Sequence, residues 1–214
     1  MLFGRAHALA ALHGAVAEAA AGHGGLLLVA GEAGIGKTAL AGQLLRDAPG
    51  LGARIAWATC RPDTGAPPYW PWVQVLRSLS HPLAVGRPAA ADDADAARFR
   101  LFDEIATRLV RAGDSQPVIA VLDDLHWSDE PSLRALSFVA GQIRTARVLL
   151  LGTYREDEAG PRLLDVARSA GAVQLGGLGE PDVARLMAEL SGTAPEPDVV
   201  ADVWRRTGGN PFFA

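Results

Sequence analysis

The chain has 214 residues, of which 49% are hydrophobic, and a formal net charge of −4. This length and composition are typical of one α/β domain with a substantial core, or of one domain plus a small appendage, and they exclude a disordered chain. The 20 Lys and Arg residues are scattered, so the charge gives no general attraction to nucleic acid or anionic lipid. We therefore expect no direct nucleic-acid binding and no membrane binding by this chain.

The single cysteine and the N-terminus indicate the cellular compartment. Cys60 has no second cysteine for an internal disulfide, which fits a reducing cytoplasm, and its thiol is expected to be half-buried and inert. The N-terminus, MLFGRAHALAALHGAV, carries Arg and His inside an apolar pattern and predicts an amphipathic helix rather than a signal peptide. Apolar runs such as 148–151 are too short to span a bilayer. A cytoplasmic protein is expected.

The periodicity of apolar residues predicts alternating helices and strands. Leu9, Leu12, Val16 and Ala20 recur at helical spacing, which predicts a helix over residues 5–21. Short apolar runs predict strands, each buried on both faces, at 26–30, 54–59, 118–122, 148–153 and 172–175. Five such strands separated by helices predict a parallel sheet with right-handed crossovers.

A phosphate-binding motif directly follows the first predicted strand. Residues 31–38, GEAGIGKT, match the pattern GxxxxGK[ST], and residues 39–46 continue as a helix. Glycines allow a tight loop whose backbone N–H groups point inward at an anion. Lys37 is expected to reach the β- and γ-phosphates, and Thr38 to ligate Mg²⁺. The predicted phosphate-binding residues are Gly31, Glu32, Ala33, Gly34, Ile35, Gly36, Lys37, Thr38 and Ala39.

A dinucleotide-binding motif overlaps this loop. Gly34, Gly36 and Ala39 also fit GxGxxA, the fingerprint of a Rossmann enzyme. That fold needs an acidic residue at the end of the second strand to hold the ribose, whereas residues 54–59 are followed by Cys60 and Arg61. The triphosphate interpretation is therefore favoured.

Residues 61–94 interrupt the alternation of strands and helices and predict an insertion that is mostly loop. Its prolines are Pro62, Pro67, Pro68, Pro71, Pro82 and Pro88. Tyr69, Trp70 and Trp72 lie among them and are expected to form a small packing core rather than a ligand cage. A short helix is predicted over 73–79, starting after Pro71, and a longer one over 96–111. Asp92, Asp93 and Asp95 are expected to be a solvated helix start.

Acidic residues follow the third predicted strand. Residues 118–124, VIAVLDD, place Asp123 and Asp124 at the carboxyl end of the strand, where a phosphate loop needs a metal-holding carboxylate. Asp123 is the predicted Mg²⁺ ligand, and Asp124 the predicted residue that polarises the attacking water; the alternative is a helix-capping pair. Residues 149–155, LLLGTYR, bring Thr153 and Arg155 to the same edge. Arg155 is either a γ-phosphate contact or a surface residue.

Five motifs in order give the chain a family resemblance. FGR at 3–5, GEAGIGKT at 31–38, LDDLHWSDEPSL at 122–133, LLLGTYR at 149–155 and TGGNPFF at 207–213 together resemble the AAA-type ATPase domain of signal-transduction ATPases with numerous domains (STAND proteins). That group includes large LuxR-type transcriptional regulators. The resemblance implies a P-loop NTPase of the ASCE/AAA-like class with a five-stranded sheet in the order 5-1-4-3-2.

The resemblance also implies cofactors and residue roles. ATP or ADP with Mg²⁺ is the implied ligand; ATP rather than GTP rests on the resemblance, because no NKxD-like guanine motif is present. Asp123 and Asp124 are implied as metal ligand and hydrolytic base, and Arg155 as a γ-phosphate sensor. Phe3, Gly4 and Arg5 are implied near the adenine, with Pro211 against the base. His126 and Trp127 match the family pattern, although their spacing alone predicts loop residues and no metal ligand.

The resemblance finally implies a domain organisation. We expect one ATPase domain over 1–214, with helices over 181–190 and 197–206 in a C-terminal part, 180–214, that leads to a missing lid. Sensor and effector domains are expected to follow, and ATP-dependent self-association is left open. The predicted function is a slowly hydrolysing ATP switch of a signalling or transcriptional regulator. The alternatives are an AAA+ remodelling motor and a nucleotide-dependent scaffold that never turns over.

Overall fold

The computed structural model describes residues 2–62, 65–83 and 94–214. Its strands and helices alternate along the chain, as the apolar patterns predict. In order they are α1 Ala6–Ala20, β1 Gly25–Gly31, α2 Lys37–Asp47, β2 Arg54–Thr59, α3 Trp70–Ser78, α4 Ala94–Ser115, β3 Val118–Asp123, α5 Glu130–Gln142, β4 Val148–Tyr154, α6 Pro161–Ser169, β5 Gly171–Leu175, α7 Glu180–Ser191 and α8 Pro197–Thr207. A 3-10 turn, Leu125–Trp127, lies between β3 and α5.

The described strands form one parallel sheet in the order β2-β3-β4-β1-β5. Read from the other edge this is 5-1-4-3-2, so the predicted fold class and strand order are confirmed. Because all strands run in the same direction, their carboxyl ends share one edge. The ends of β1, β3 and β4 are therefore neighbours, which brings the phosphate loop and the residues after β3 and β4 together.

The sheet is covered by helices on both faces. Alternate residues of β3 show this division: Ile119 and Val121 pack with α1 and α2, whereas Val118, Ala120 and Leu122 pack with α3, α4, α5 and α6. Every residue of β3 and β4 is buried. The prediction of strands buried on both faces is wrong for β5, where Gly171, Ala172 and Gln174 are exposed because β5 lies at the edge of the sheet.

The aromatic segment after β2 joins the main core. Trp72 is fully buried, and its Nε1 donates to the Ser132 carbonyl at 3.1 Å, so a packing role is confirmed for this residue. Helix α3 begins at Trp70, before the predicted start, because Pro71 occupies its first turn, where a missing N–H costs nothing. Of the predicted insertion, Pro88, Asp92 and Asp93 lie outside the described residues.

The thiol of Cys60 is buried, and burial raises its pKa to about 12, so it is unreactive. The C-terminal helices α7 and α8 pack on each other around a small cluster of Leu178, Val183 and Val200. Among the described residues, no helix combines the length and the apolar character needed to cross a bilayer.

Candidate nucleotide site

The loop between β1 and α2 has the backbone of an anion-binding nest. Gly34 and Gly36 have φ of 74° and 102°, values that side chains with a Cβ rarely adopt. Gly31 has φ of 152°, and a Cβ there would lie 2.6 Å from the Leu175 carbonyl oxygen of β5. Helix α2 begins at Lys37, so the loop ends at a helix N-terminus, where the macrodipole favours a bound anion.

Lys37 lies folded across this loop. Its Nζ donates to the carbonyl oxygens of Gly31, at 2.9 Å, and Glu32, at 2.7 Å, and the residue is only 5% exposed. Burial, reinforced by the charge of Arg155, lowers the pKa of Lys37. The ammonium group is therefore poorly solvated, and an anion bound in the loop would stabilise its charged form.

A line of hydrogen bonds joins the helix start to the ends of β3 and β4. Thr38 Oγ1 donates to Asp123 Oδ1 at 3.1 Å, and Thr153 Oγ1 donates to the same oxygen at 2.6 Å. The backbone N–H of Asp124 donates to Thr153 Oγ1 at 2.9 Å. Thr153, which is fully buried, thus joins the Asp123 carboxylate to the backbone of Asp124.

The two carboxylates have different surroundings. Asp123 is 3% exposed, and burial raises the pKa of its carboxyl group. Asp124, directly after the strand, has a left-handed backbone with φ of 58°, and its side chain is 30% exposed. One carboxylate is therefore held inside by two hydroxyl groups, while the other borders the open space above the loop.

Glu158, which the sequence analysis did not single out, lies next to Arg155 and His126. Arg155 Nη1 lies 2.5 Å from Glu158 Oε1. The His126 side chain is completely buried between Asp124 Oδ1, 3.9 Å from its Nδ1, and Glu158 Oε2, 3.7 Å from its Nε2. Neither ring nitrogen has a hydrogen-bond partner in the described part of the chain, and burial lowers the pKa of His126. The only sequence signal for Glu158 is its place three residues after Arg155.

A cavity of about 190 Å³ gathers the predicted residues of three segments. Its lining consists of Gly34, Gly36, Lys37, Thr38, Ala39, Asp124 and Arg155. A larger cavity of about 570 Å³ lies between the end of β2, α3 and the 3-10 turn, with Trp70 and Trp127 in its wall. The wall of the larger cavity contains no residue of the phosphate loop, whereas the smaller cavity is lined by Gly34, Gly36, Lys37 and Thr38 of that loop.

Thr38, which lines this cavity, and Asp123, which is hydrogen-bonded to Thr38, fit a magnesium ion. The Thr38 hydroxyl and the Asp123 carboxylate are hard oxygen donors, which Mg²⁺ prefers. A buried carboxylate with a raised pKa is also a group that a cation would stabilise. Among the described residues there is no group of three or more His, Cys, Asp or Glu that would hold a metal without a nucleotide.

The predicted adenine-side residues lie around the loop. Arg5 is buried, and its guanidinium donates to the carbonyl oxygens of Gly176 and Ile35, both at 2.8 Å. Gly4 has φ of 61° and lies against Asp182, and the Phe3 ring has the Arg185 guanidinium 6.0 Å from its centroid. Pro211 is partly buried in the turn after α8. Contact of Phe3, Gly4, Arg5 and Pro211 with a base stays a prediction.

The parallel sheet, the glycine loop at a helix start and the acidic strand end define a P-loop nucleotide-binding fold. The sequence matches the family of AAA ATPase domains over residues 1–151, and the chain belongs to that family. No protein with a curated description matches the sequence.

Solved structures with the same fold include three ATPase-fold proteins. A STAND protein with a tetratricopeptide repeat sensor from Pyrococcus horikoshii is 20% identical, with a TM-score of 0.59 over 98% of this chain and 28% of that one. Cdc6p from Pyrobaculum aerophilum is 16% identical, with a TM-score of 0.61 over 93% of this chain and 53% of that one. A RuvB mutant from Thermotoga maritima is 16% identical, with a TM-score of 0.53 over 99% and 61%. The chain thus spans less than two thirds of each, and the resemblance to a STAND-type AAA domain is confirmed at the level of the fold.

Proposed function

We propose that this chain is an ATP-dependent switch domain that binds Mg·ATP and hydrolyses it slowly. The observation that supports it most is the continuous line of hydrogen bonds from Thr38 through Asp123 and Thr153 to Asp124. It joins the start of α2, directly after the phosphate loop, to the Asp123 carboxylate and to the backbone of Asp124. Loss of the γ-phosphate would therefore alter the hydrogen bonds at the ends of β3 and β4.

Each residue has a role that follows from its place. The loop amides and the Lys37 ammonium bind the β- and γ-phosphates, and Thr38 with Asp123 would hold Mg²⁺. The metal ion, when bound, neutralises charge that develops on the phosphate oxygens. Asp124, with its partly exposed carboxylate at the cavity wall, orients the attacking water and accepts its proton. Arg155, which lines the same cavity, contacts the γ-phosphate after leaving Glu158.

Slow turnover is expected because the catalytic groups are not yet assembled. The Arg155 guanidinium is engaged by Glu158, and both side chains are about one third exposed, at 32% and 31%. Water around the γ-phosphate weakens each electrostatic contact. P-loop enzymes without an effective arginine finger turn over at about 10⁻⁴ to 10⁻² per second, and we expect the rate to fall in this range. The output of such a domain is conformational, and the STAND-type fold supports a place in a multidomain regulator.

The test is phosphate release from Mg·ATP across a series of protein concentrations, with binding measured separately by calorimetry. A slow rate per chain that stays flat supports the switch. A rate that climbs steeply toward about one per second would support a remodelling motor, in which neighbouring subunits supply fingers. Binding without release would support a scaffold.

Asp124→Asn tests the proposed role of Asp124 in hydrolysis. It is nearly isosteric, so it should keep Mg·ATP binding while single-turnover cleavage falls by about 10² to 10⁴, the usual effect of a lost general base. Cleavage at the parent rate would show that Asp124 does not act on the water.

A further inference from the structure

The C-terminal motif at residues 207–213, TGGNPFF, contacts the phosphate loop. Asn210 is 4% exposed, and its Nδ2 donates to the Ala33 carbonyl oxygen at 2.9 Å, although 177 residues separate the two. Its other side-chain atom, Oδ1, accepts from the Phe212 N–H at 3.1 Å. The carboxamide oxygen thus shapes the motif's own turn, and the carboxamide nitrogen binds the loop.

The packing around this contact is close. A Cβ on Gly34 would lie 2.6 Å from the Phe212 Cβ and 3.2 Å from Asn210 Oδ1, so only glycine leaves room for the motif. The motif is also bonded to the segment between β5 and α7, because the Leu178 N–H donates to the Gly209 carbonyl oxygen at 2.7 Å. Trp204 Nε1 of α8 donates to the Leu178 carbonyl at 3.0 Å. Asn210 therefore has a fixed position from which to hold the loop.

The direction of the Ala33 carbonyl matters for anion binding. A nest binds an anion only while successive N–H groups point inward, and the carbonyl oxygens must then point outward. The outward carbonyl of Ala33 is held by Asn210, and that of Ile35 by Arg5 Nη2 at 2.8 Å. A peptide group that turned its oxygen inward would present negative charge to the phosphates. Preorganised dipoles bind better than dipoles that must first be oriented.

We propose that Asn210 is a positioning residue of the phosphate loop. By holding the Ala33 carbonyl outward it raises affinity for the phosphate chain, and it does so without touching the nucleotide. This inference rests on the proposed nucleotide-binding function. It assigns the motif a role on the phosphate side of the site, distinct from the base contact that the family resemblance implies for Pro211.

The test compares two probes, Mg·ATP and inorganic tripolyphosphate, which has no base. Two variants are needed. Asn210→Ala removes the donor and the acceptor without adding charge, and Asn210→Asp removes the donor but keeps an acceptor for the Phe212 N–H. Both variants should lose about tenfold in affinity for both probes, the effect of one hydrogen bond in a preorganised site. The KM for ATP should rise while kcat stays unchanged, because only uniform binding is lost.

The alternative outcomes are separable. If only the affinity for ATP falls, the motif contacts the base and not the phosphates. If affinity falls in Asn210→Ala alone, the effect comes from the disrupted turn. If affinity falls in Asn210→Asp alone, the effect comes from the added negative charge. Each of these results, and unchanged affinity in both variants, would overturn the inference. A circular dichroism melt checks folding, and if Asn210→Ala unfolds it is replaced by Asn210→Ser, which adds no charge and whose hydroxyl can accept a hydrogen bond in the same turn. A wild-type chain that binds neither probe would overturn the proposed function itself.

Discussion

Replacement of Lys37 by Ala should greatly lower the affinity for nucleotide and change the free energy of unfolding only slightly. The ammonium group bonds the loop in the nucleotide-free chain and would bond the phosphates in the complex. In the structure its Nζ donates to the Gly31 and Glu32 carbonyl oxygens. A phosphate chain in the loop would offer a fully charged partner in the same position. A preorganised charged contact of this kind contributes on the order of 10²- to 10³-fold, so Mg·ATP affinity should fall by at least that factor.

The effect on folding should be much smaller because two contributions oppose each other. Each hydrogen bond from a charged donor contributes about 1.5–3 kcal/mol. Burial, however, lowers the pKa of Lys37 in the folded chain below its unfolded value. The folded chain therefore binds that proton less tightly, and at pH 7 the charged lysine carries a penalty, which disappears only as pH rises above the unfolded pKa near 10.4. Removal of the charge offsets the lost bonds, and a net change of about 1 kcal/mol is expected.

Calorimetric titration with Mg·ATP and thermal melting of the nucleotide-free chain measure the two effects. Lys37→Met is the matched variant, since it keeps an unbranched side chain for packing while it removes the charge and the two hydrogen bonds that the ammonium group donates. Both variants should lose affinity equally. Unchanged ATP affinity in Lys37→Ala would refute the phosphate-loop assignment, and a melting temperature lower by tens of degrees would refute the argument that the two stability terms nearly cancel.

Two further substitutions test the surroundings of the loop. Asp123→Asn should weaken the Mg²⁺ dependence of binding, yet stabilise the nucleotide-free chain at pH 7 by roughly 0.5–2 kcal/mol, because burial raises the pKa of this carboxyl and its charged form disfavours folding. That gain should vanish below the unfolded pKa of about 3.9, where both states hold the proton; a lower melting temperature at pH 7 would contradict it. Glu158→Gln should release Arg155 and raise ATP affinity about two- to fivefold, since an ion pair whose side chains are about one third exposed contributes up to about 1 kcal/mol. Glu156→Gln, in the same loop but bonded to Gln174, is the control, and equal affinities in the two variants would show that Glu158 does not restrain Arg155.

The sequence alone determined the features that are encoded locally. The loop of residues 31–38 is recognisable because the constraints on it act between neighbours: glycine where φ is positive, and lysine and threonine at the helix start. The strands were predicted because apolar runs this short satisfy a buried parallel sheet. Asp123 and Asp124 could be placed beside the loop because the carboxyl ends of parallel strands share one edge.

Only the tertiary structure decided which distant groups meet at that edge. Arg5 and Asn210 hold carbonyls of the phosphate loop from sequence separations of 30 and 177 residues. Burial of His126 between two carboxylates depends on how the 3-10 turn packs against the segment after β4, and spacing had predicted only a loop residue. Such contacts depend on packing between elements, and the residue types involved are equally common on surfaces. A motif can therefore give the chemistry of a site, while the groups that orient it are visible only when the chain is folded.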